Sequence, residues 1–200
     1  MSKGAEPGRV AVVRAGHEGD ARTARAGLTA ADPAVRALAL GAARRCSCLT
    51  AADIRSALGD DEPLVRRRAA EEAAGLGDPA VGGALRDALT GPDAGVVEMA
   101  AWALGELPPD ASTVAALGTV ARTHDESLCR EAAVAALGAL GHRDGLGAIL
   151  DATTDKATVR RRAVLALAPF DGIEVERALT RAREDRDWQV RQAAEDLLGG

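Results

Sequence analysis

A pattern of about 31 residues recurs six times along this chain of 200 residues. Each copy has an acidic residue, an apolar anchor three or four positions later, and then a run of small residues. An arginine directly follows the anchor in five of the six copies. The anchors, at spacings of 30, 31, 33, 30 and 31, are Val35, Val65, Val96, Cys129, Val159 and Val190. A period of this length indicates a repeat protein, in which each unit buries its apolar face against its neighbours.

Each anchor is predicted to open a helix. On a helix that turns about 100° per residue, positions 4, 7, 8 and 11 after the anchor lie on the same side as the anchor. In the fourth copy these positions hold Ala133, Ala136, Leu137 and Leu140. Because alanine at a contact lets two helix axes approach to the short end of the usual range of about 8–10 Å, we expect close parallel stacking of these helices.

The composition favours helices over strands. The chain has 46 alanines, one Phe, two Trp and no Tyr, whereas strands are rich in aromatic and β-branched residues. A second helix is predicted between successive anchor helices, over residues 20–30, 51–59, 79–90, 112–123, 145–153 and 173–183. We therefore predict an all-α fold, a right-handed α-solenoid of six helix pairs. It is expected to form a single domain over residues 17–200, after a flexible N-terminal segment over residues 1–16.

The acid, the Val-Arg pair and the following Ala-Ala-x-Ala-Leu-Gly run resemble the short bacterial HEAT repeat, which is also found in phycobilisome-lyase-like proteins. The resemblance covers roughly residues 20–200. Tetratricopeptide repeats need aromatic positions that a chain without Tyr does not supply, and the Thr-Pro-Leu-His signature of ankyrin repeats is absent. The resemblance implies a binding scaffold whose anchor helices line a concave face, and it leaves the partner open.

Charge and cysteine content bear on the partner and the compartment. Lys and Arg total 25 against 30 Asp and Glu, and the resulting net charge of −5 disfavours a surface built to neutralise nucleic acid. The apolar run near the N-terminus, residues 10–13, is far shorter than the roughly 20 residues of a membrane span. Three cysteines cannot all pair within one chain, so we expect reduced thiols and a cytoplasmic location. The richness in Ala, Gly and Arg is typical of a GC-rich bacterial genome.

Motifs for metal binding and catalysis are weak. His17-Glu18 is the one pair of the His-Glu type by which the HEAT-repeat deoxyhypusine hydroxylases bind iron, and the three histidines fall in loops of different repeats. Cys46 and Cys48 lack the second cysteine pair of a zinc site. The sequence has neither a glycine-rich phosphate loop nor a nucleophile elbow. We therefore expect no metal, no cofactor and no enzymatic activity.

The arginine after the anchor is predicted to have a structural role. These residues are Arg36, Arg66, Arg130, Arg160 and Arg191. Each lies about 100° from its anchor, where it can reach the first-turn acid of its own or the adjacent repeat. We expect a ladder of Asp–Arg ion pairs that orders the stack, with a gap in the third copy, which has Val97 at this position.

Positions 2 and 6 after each anchor point away from the buried stripe and are predicted to face the concave groove. The candidate partner-binding residues at these positions and around them are Arg67, Arg68, Glu98, Met99, Trp102, Glu106, Glu131, Arg161 and Arg162. Trp102 resembles an interface hot spot, and the arginines would select an acidic segment of a partner. Two simpler interpretations stay open. In one, Trp102 lies flat over its alanine neighbours. In the other, charges at matching positions of adjacent repeats neutralise each other: Arg67 with Glu98, and Glu131 with Arg161.

The sequence therefore predicts a non-enzymatic scaffold that binds another protein, or an acidic peptide segment of it, through its concave face. One alternative is a nucleic-acid-binding protein related to the HEAT-like alkylpurine DNA glycosylases, which use tryptophans, a carboxylate and arginines in such a groove. The acidic net charge and the scarcity of aromatic residues disfavour it. A bilin-lyase-like chaperone subunit is the other alternative, and it follows from the family likeness alone.

Overall fold

The computed structural model describes residues 6–199, and every regular element in that range is helical. The α-helices are α1 (Arg9–Glu18), α2 (Ala21–Gly27), α3 (Pro33–Arg45), α4 (Ala51–Leu58), α5 (Pro63–Leu76), α6 (Gly82–Ala88), α7 (Ala94–Gly105), α8 (Ala111–Thr123), α9 (Ser127–Leu140), α10 (Leu146–Ala152), α11 (Ala157–Ala166), α12 (Ile173–Ala182) and α13 (Trp188–Leu198). Short 3₁₀ turns, Pro79–Val81 and Arg143–Gly145, lead into α6 and α10. The anchor helices and the helices between them lie where the repeat predicts them, so the all-α prediction is confirmed.

The helices form two compact units, of which the first ends at Ala88 and the second begins at Leu89. In the first unit α3 packs against both α1 and α5, while α2 packs on α3 and α4 on α5. In the second unit the anchor helices α7, α9, α11 and α13 stack in order, and α8, α10 and α12 form a second layer on them. Each unit is therefore a two-layer stack of helix pairs, the arrangement of an α-solenoid.

The N-terminal part of the chain differs from the flexible segment expected over residues 1–16. Residues 1–5 lie outside the described residues. The remainder includes most of α1, which packs on α3 and buries Val12 completely. The repeat pattern runs without interruption through the point where the two units divide, and the single domain expected over residues 17–200 stays a prediction.

Small residues bring neighbouring anchor helices close together, as predicted. In α9, Ala133, Ala136 and Leu137 are at most 3% exposed. The end of α7 lies so close to α9 that a Cβ atom added to Gly105 would be 2.9 Å from Cα of Ala136. Packing of this density fixes the rotation of each helix against the next, and it thereby fixes which side chains share the outer face.

The arginines after the anchors join successive repeats. In Arg130, Nε and Nη2 donate to the two carboxylate oxygens of Asp155 at 2.6 and 2.7 Å. Its Nη1 donates to two backbone carbonyls in the loop before its own helix. The same fork joins two more pairs, Arg36 with Asp60 and Arg160 with Asp185. The predicted ladder is confirmed for these three arginines, and the acceptor lies in the loop before the next anchor helix.

The ladder makes stability depend on pH in the acid range. Hydrogen bonds from the arginines lower the pKa of three aspartates, Asp60, Asp155 and Asp185. A carboxyl whose pKa is lower in the folded chain stabilises the fold above its unfolded pKa, and this contribution is lost as pH falls through the folded pKa. We expect the urea midpoint to decline below about pH 4. Asp155→Asn should lower the midpoint at neutral pH and flatten the acid decline; an equally steep decline in this variant would contradict the assignment.

Candidate functional site

The second unit has a cleft of about 380 Å³ on the outer face of its anchor helices. It is lined by Glu98, Met99, Trp102, Gly105 and Glu106 of α7 and its end, by Leu128, Glu131, Ala132, Ala135, Ala136 and Ala139 of α9, and by Arg162 of α11. We call this site the Trp102 cleft. All of its residues belong to one unit, so its geometry is set by the stacking of α7, α9 and α11.

Alanines of α9 and the larger apolar side chains around them make most of the cleft surface apolar. Trp102 is 45% exposed and Leu128 is 60% exposed, whereas Met99 is partly buried. The close approach of Gly105 and Ala136 holds α7 and α9 together beneath these side chains. A tryptophan that is only half-buried beside small residues leaves a broad apolar surface open to a partner.

Carboxylates surround Trp102. Glu98 lies four residues before it and Glu106 four residues after it, so the three side chains share one side of α7. On α9, Glu131 accepts a hydrogen bond from Nη2 of Arg162 at 3.3 Å. Among residues 89–199, which make up the described part of the second unit, Glu98 and Glu106 take part in no ion pair and in no side-chain hydrogen bond. One guanidinium and three carboxylates give the cleft a formal charge of 1 − 3 = −2.

Four overlapping matches to the family model of HEAT repeats cover residues 21–105, 51–138, 84–168 and 114–199. The chain belongs to the HEAT-repeat family. The family resemblance drawn from the repeat pattern is thus confirmed, and the Trp102 cleft lies on the outer face of three HEAT anchor helices. No curated protein matches the chain significantly.

Several solved structures share the fold of this HEAT-repeat protein. The complex of CpcE and CpcF of phycocyanin lyase from Nostoc sp. PCC7120 is 22% identical, with a TM-score of 0.64, over 100% of this chain and 79% of that chain. An engineered protein is 20% identical, with a TM-score of 0.70, over 90% and 97% of the two chains. A designed armadillo repeat protein in complex with the peptide (KR)4 is 15% identical, with a TM-score of 0.67, over 90% and 98%. At these identities the likeness is one of fold alone.

Six of the nine candidate residues lie together in the Trp102 cleft of the HEAT repeats, and the three others lie elsewhere. The six are Glu98, Met99, Trp102, Glu106, Glu131 and Arg162. The alternative that Glu131 pairs with Arg161 is wrong, because Glu131 pairs with Arg162. Consecutive residues on a helix point about 100° apart, and Arg161 accordingly lines a different cleft, between α11 and α13.

The two remaining arginines belong to the first unit. Arg68 donates through Nη1 to Oε2 of Glu71 at 3.2 Å, and its Nη2 pairs with Glu72, whose side chain is only 2% exposed. Arg67 is exposed on α5. The expected pair of Arg67 with Glu98 would join the two units, and it stays a prediction.

Two exposed apolar residues that line clefts in the HEAT repeats are absent from the nine candidate residues. Leu128 directly precedes its anchor, and it is 60% exposed at the edge of the Trp102 cleft. Trp188 lies two positions before its anchor, is 64% exposed, and lines a cleft of about 110 Å³ with Arg161 and Leu165. A large apolar residue one or two positions before an anchor points about 100–200° away from the buried stripe. The positions of Leu128 and Trp188 relative to their anchors therefore already indicated that these side chains point outwards.

Three further structural observations bear on the chemistry of the described residues. Within residues 6–199, no group of three or more His, Cys, Asp or Glu side chains is placed to hold a metal ion. None of the helices in this range is long and apolar enough to cross a membrane. The three cysteines are free, and burial raises the pKa of the Cys48 and Cys129 thiols.

Proposed function

We propose that this HEAT-repeat protein is a non-enzymatic scaffold that binds another protein through the Trp102 cleft. The observation that carries the proposal is Trp102 itself, which is 45% exposed in a cleft with an alanine surface. Met99 and Leu128 extend the apolar surface beside it. Tryptophan is among the commonest hot-spot residues of protein interfaces, and exposed apolar patches of this kind mark interaction sites.

The charges of the cleft change what kind of partner we propose. Selection of an acidic segment depended on four arginines, of which Arg67 and Arg68 belong to the first unit and Arg161 lines the other cleft. The fourth, Arg162, is paired with Glu131. Since the remaining charge beside Trp102 is negative, we keep the protein-binding scaffold and leave the acidic segment out of the proposal.

The alternative functions have less support. A nucleic-acid site needs cations to neutralise phosphates, whereas the Trp102 cleft has a formal charge of 1 − 3 = −2. The likeness to the CpcE and CpcF lyase complex, at 22% identity, supports a common fold. It is not evidence that this chain has lyase activity. The described lining residues that could act as base or nucleophile are glutamates, and none of them has a Ser, Thr, Cys or His beside it in the lining. Three free cysteines suit a reducing compartment, so a cytoplasmic location is part of the proposal.

Trp102→Ala is expected to reduce recovery of the partner at least about tenfold in a quantitative pull-down from nuclease-treated host lysate, because a hot-spot tryptophan contributes about 2 kcal/mol or more. Trp188→Ala is the matched control. It removes the same side chain from the same unit, at a site that is 64% exposed and outside the Trp102 cleft. Both variants should keep the circular dichroism spectrum and melting temperature of the wild-type chain.

The proposal requires one set of proteins to be lost with Trp102→Ala and retained with Trp188→Ala. Equal recovery with all three forms would show that the Trp102 cleft is not the binding surface. A parallel pull-down without nuclease tests the nucleic-acid alternative. That alternative is favoured if this pull-down recovers nucleic acid, and if nuclease treatment removes both the nucleic acid and all bound protein.

A further inference from the structure

We propose that the Trp102 cleft takes an arginine side chain from an extended basic segment of its partner. This inference rests on the proposed function, because it names the chemistry of the partner at the same surface. Three observations carry it: the unpaired carboxylates of the cleft, the position of one of them at a helix end, and the combination of a tryptophan with an alanine surface.

The first observation is the uncompensated negative charge. Of the three carboxylates, the Glu131 carboxylate is paired with Arg162. Glu98 and Glu106 have neither an ion pair nor a side-chain hydrogen bond within the described part of the second unit, residues 89–199. Both flank Trp102 at a spacing of four residues, so a cation that contacts the indole lies within reach of a carboxylate on either side.

The second observation is that α7 ends in the cleft. Glu106 is the C-cap residue of α7, where the helix already presents the partial negative charge of its last carbonyl groups. A carboxylate at a helix C-terminus is unfavourable, because it lies beside carbonyl groups of the same partial charge. A bound guanidinium would relieve this repulsion, because its positive charge would lie close to both the carbonyl groups of the helix end and the Glu106 carboxylate.

The third observation is the match between the surface and the shape of arginine. The alanines Ala132 and Ala135 offer an apolar surface for the methylene stem, and Trp102 offers an aromatic ring for the guanidinium plane. Arginine stacks on aromatic rings and donates to carboxylates in a planar fork, whereas lysine is a compact and strongly hydrated point charge. The cleft therefore suits arginine best among the natural side chains.

Other occupants fit the cleft less well. An acidic segment would bring like charges together beside Glu98 and Glu106. A purely apolar segment would cover Trp102 and would also remove water from two carboxylates that have no partner within the second unit, which is costly. A basic segment keeps the apolar contact and supplies the missing counter-charges.

The test uses the intrinsic fluorescence of Trp102. The chain has two Trp and no Tyr, so Trp188→Phe leaves Trp102 as the single strong fluorophore of the full-length protein. This variant is titrated with three eight-residue peptides of equal length: (Ala-Arg)4, (Ala-citrulline)4 and (Ala-Glu)4. Citrulline preserves the shape of arginine and removes its charge. Binding is followed at salt concentrations from about 0.05 M to about 0.3 M, a range over which screening of exposed charges increases strongly.

We expect a saturable change in Trp102 emission with (Ala-Arg)4, and binding at least about tenfold weaker with the citrulline and glutamate peptides. Glu98→Gln with Glu106→Gln should weaken (Ala-Arg)4 binding about tenfold and reduce its dependence on salt. The matched control is Glu174→Gln with Glu176→Gln, which removes two exposed carboxylates from the first turn of α12 in the same unit. This control should leave binding unchanged within about twofold.

The inference is overturned if the citrulline peptide binds as well as (Ala-Arg)4, if (Ala-Glu)4 binds best, or if no saturable response occurs at millimolar (Ala-Arg)4. It is equally overturned if the two glutamine replacements at Glu98 and Glu106 leave binding unchanged. The proposed function is judged separately by the Trp102→Ala pull-down. A partner lost in that pull-down together with no response to (Ala-Arg)4 would retain the cleft as a binding surface and reject the basic segment.

Discussion

Arg160→Ala is expected to lower the free energy of unfolding by about 3 kcal/mol. Nε and Nη2 of Arg160 donate to the two carboxylate oxygens of Asp185 at 2.8 and 2.7 Å, and Nη1 donates to the backbone carbonyl of Asp155 at 2.8 Å. The two paired side chains are only 8% and 15% exposed. Removing the guanidinium therefore leaves the Asp185 carboxylate largely buried without its counter-charge, which is the costly way to break a buried pair.

Arg122→Ala is the matched control for this prediction. Arg122 also donates from Nε to an aspartate of the next repeat, Asp151, at 2.7 Å, but these side chains are 46% and 63% exposed. Ion pairs that are exposed to water contribute at most about 1 kcal/mol to the free energy of unfolding. The control should therefore unfold at nearly the same urea concentration as the wild-type chain. Urea unfolding followed by circular dichroism measures both variants. Equal losses for Arg160→Ala and Arg122→Ala would show that burial of the ladder adds nothing to its strength.

The ladder was predictable from the sequence, but its acceptors were only partly so. The period places an arginine and an acid at fixed positions, and the structure joins them as expected for Arg130 and Asp155. In the last repeat the acceptor is Asp185, while Asp187 caps α13 by accepting a hydrogen bond from the backbone N–H of Gln189 at 2.9 Å. When two acids lie near one helix start, the backbone of the loop decides which one caps the helix and which one faces the arginine. Spacing alone does not contain that information.

The candidate site, like the ladder, was only partly predictable from the sequence. The position of Trp102 on the outer face follows from the repeat, because an offset from the anchor fixes the direction of a side chain on a helix. The charge around Trp102 does not follow from the repeat. Whether Glu131 meets Arg161 or Arg162 depends on how α11 is rotated against α9, and tertiary packing sets that rotation. The pairing of Arg68 with Glu71 and Glu72, in contrast, was available from the spacings of three and four residues within one helix.

Helix α1 was missed for a related reason. Its sequence lacks the acid, anchor and arginine at the spacing on which the repeat prediction depended. It is nevertheless held in the first unit by the same physical means as the other anchor helices, since Val12 is completely buried and Nε of Arg9 lies 2.9 Å from Oδ2 of Asp32. Repeats at the ends of a pattern are often atypical in sequence while they keep the packing of the others.

Gly138→Ala is expected to destabilise the second unit by about 2 kcal/mol, although alanine is the better helix former by about 1 kcal/mol. Gly138 lies inside α9, and a Cβ atom there would be 2.7 Å from Cβ and 2.8 Å from Cα of Ala166 on α11. No rotation of a side chain can relieve a contact with the backbone of a neighbouring helix. The methyl group therefore forces α9 and α11 apart, and the loss of their packing exceeds the gain in helix propensity.

Gly147→Ala is the same chemical change, and it is expected to have the opposite effect on stability. Gly147 is exposed on α10, and the nearest atom to an added Cβ is Nη2 of Arg122 at 3.4 Å, at the flexible end of a side chain. This variant should be between neutral and about 1 kcal/mol more stable, since the added methyl group restricts the unfolded chain without a clash. Thermal and urea unfolding of the two variants test the close approach of the anchor helices directly. If Gly138→Ala also stabilises the chain, the second unit has room between α9 and α11, and the fixed rotation that brings Arg162 onto Glu131 loses its physical basis.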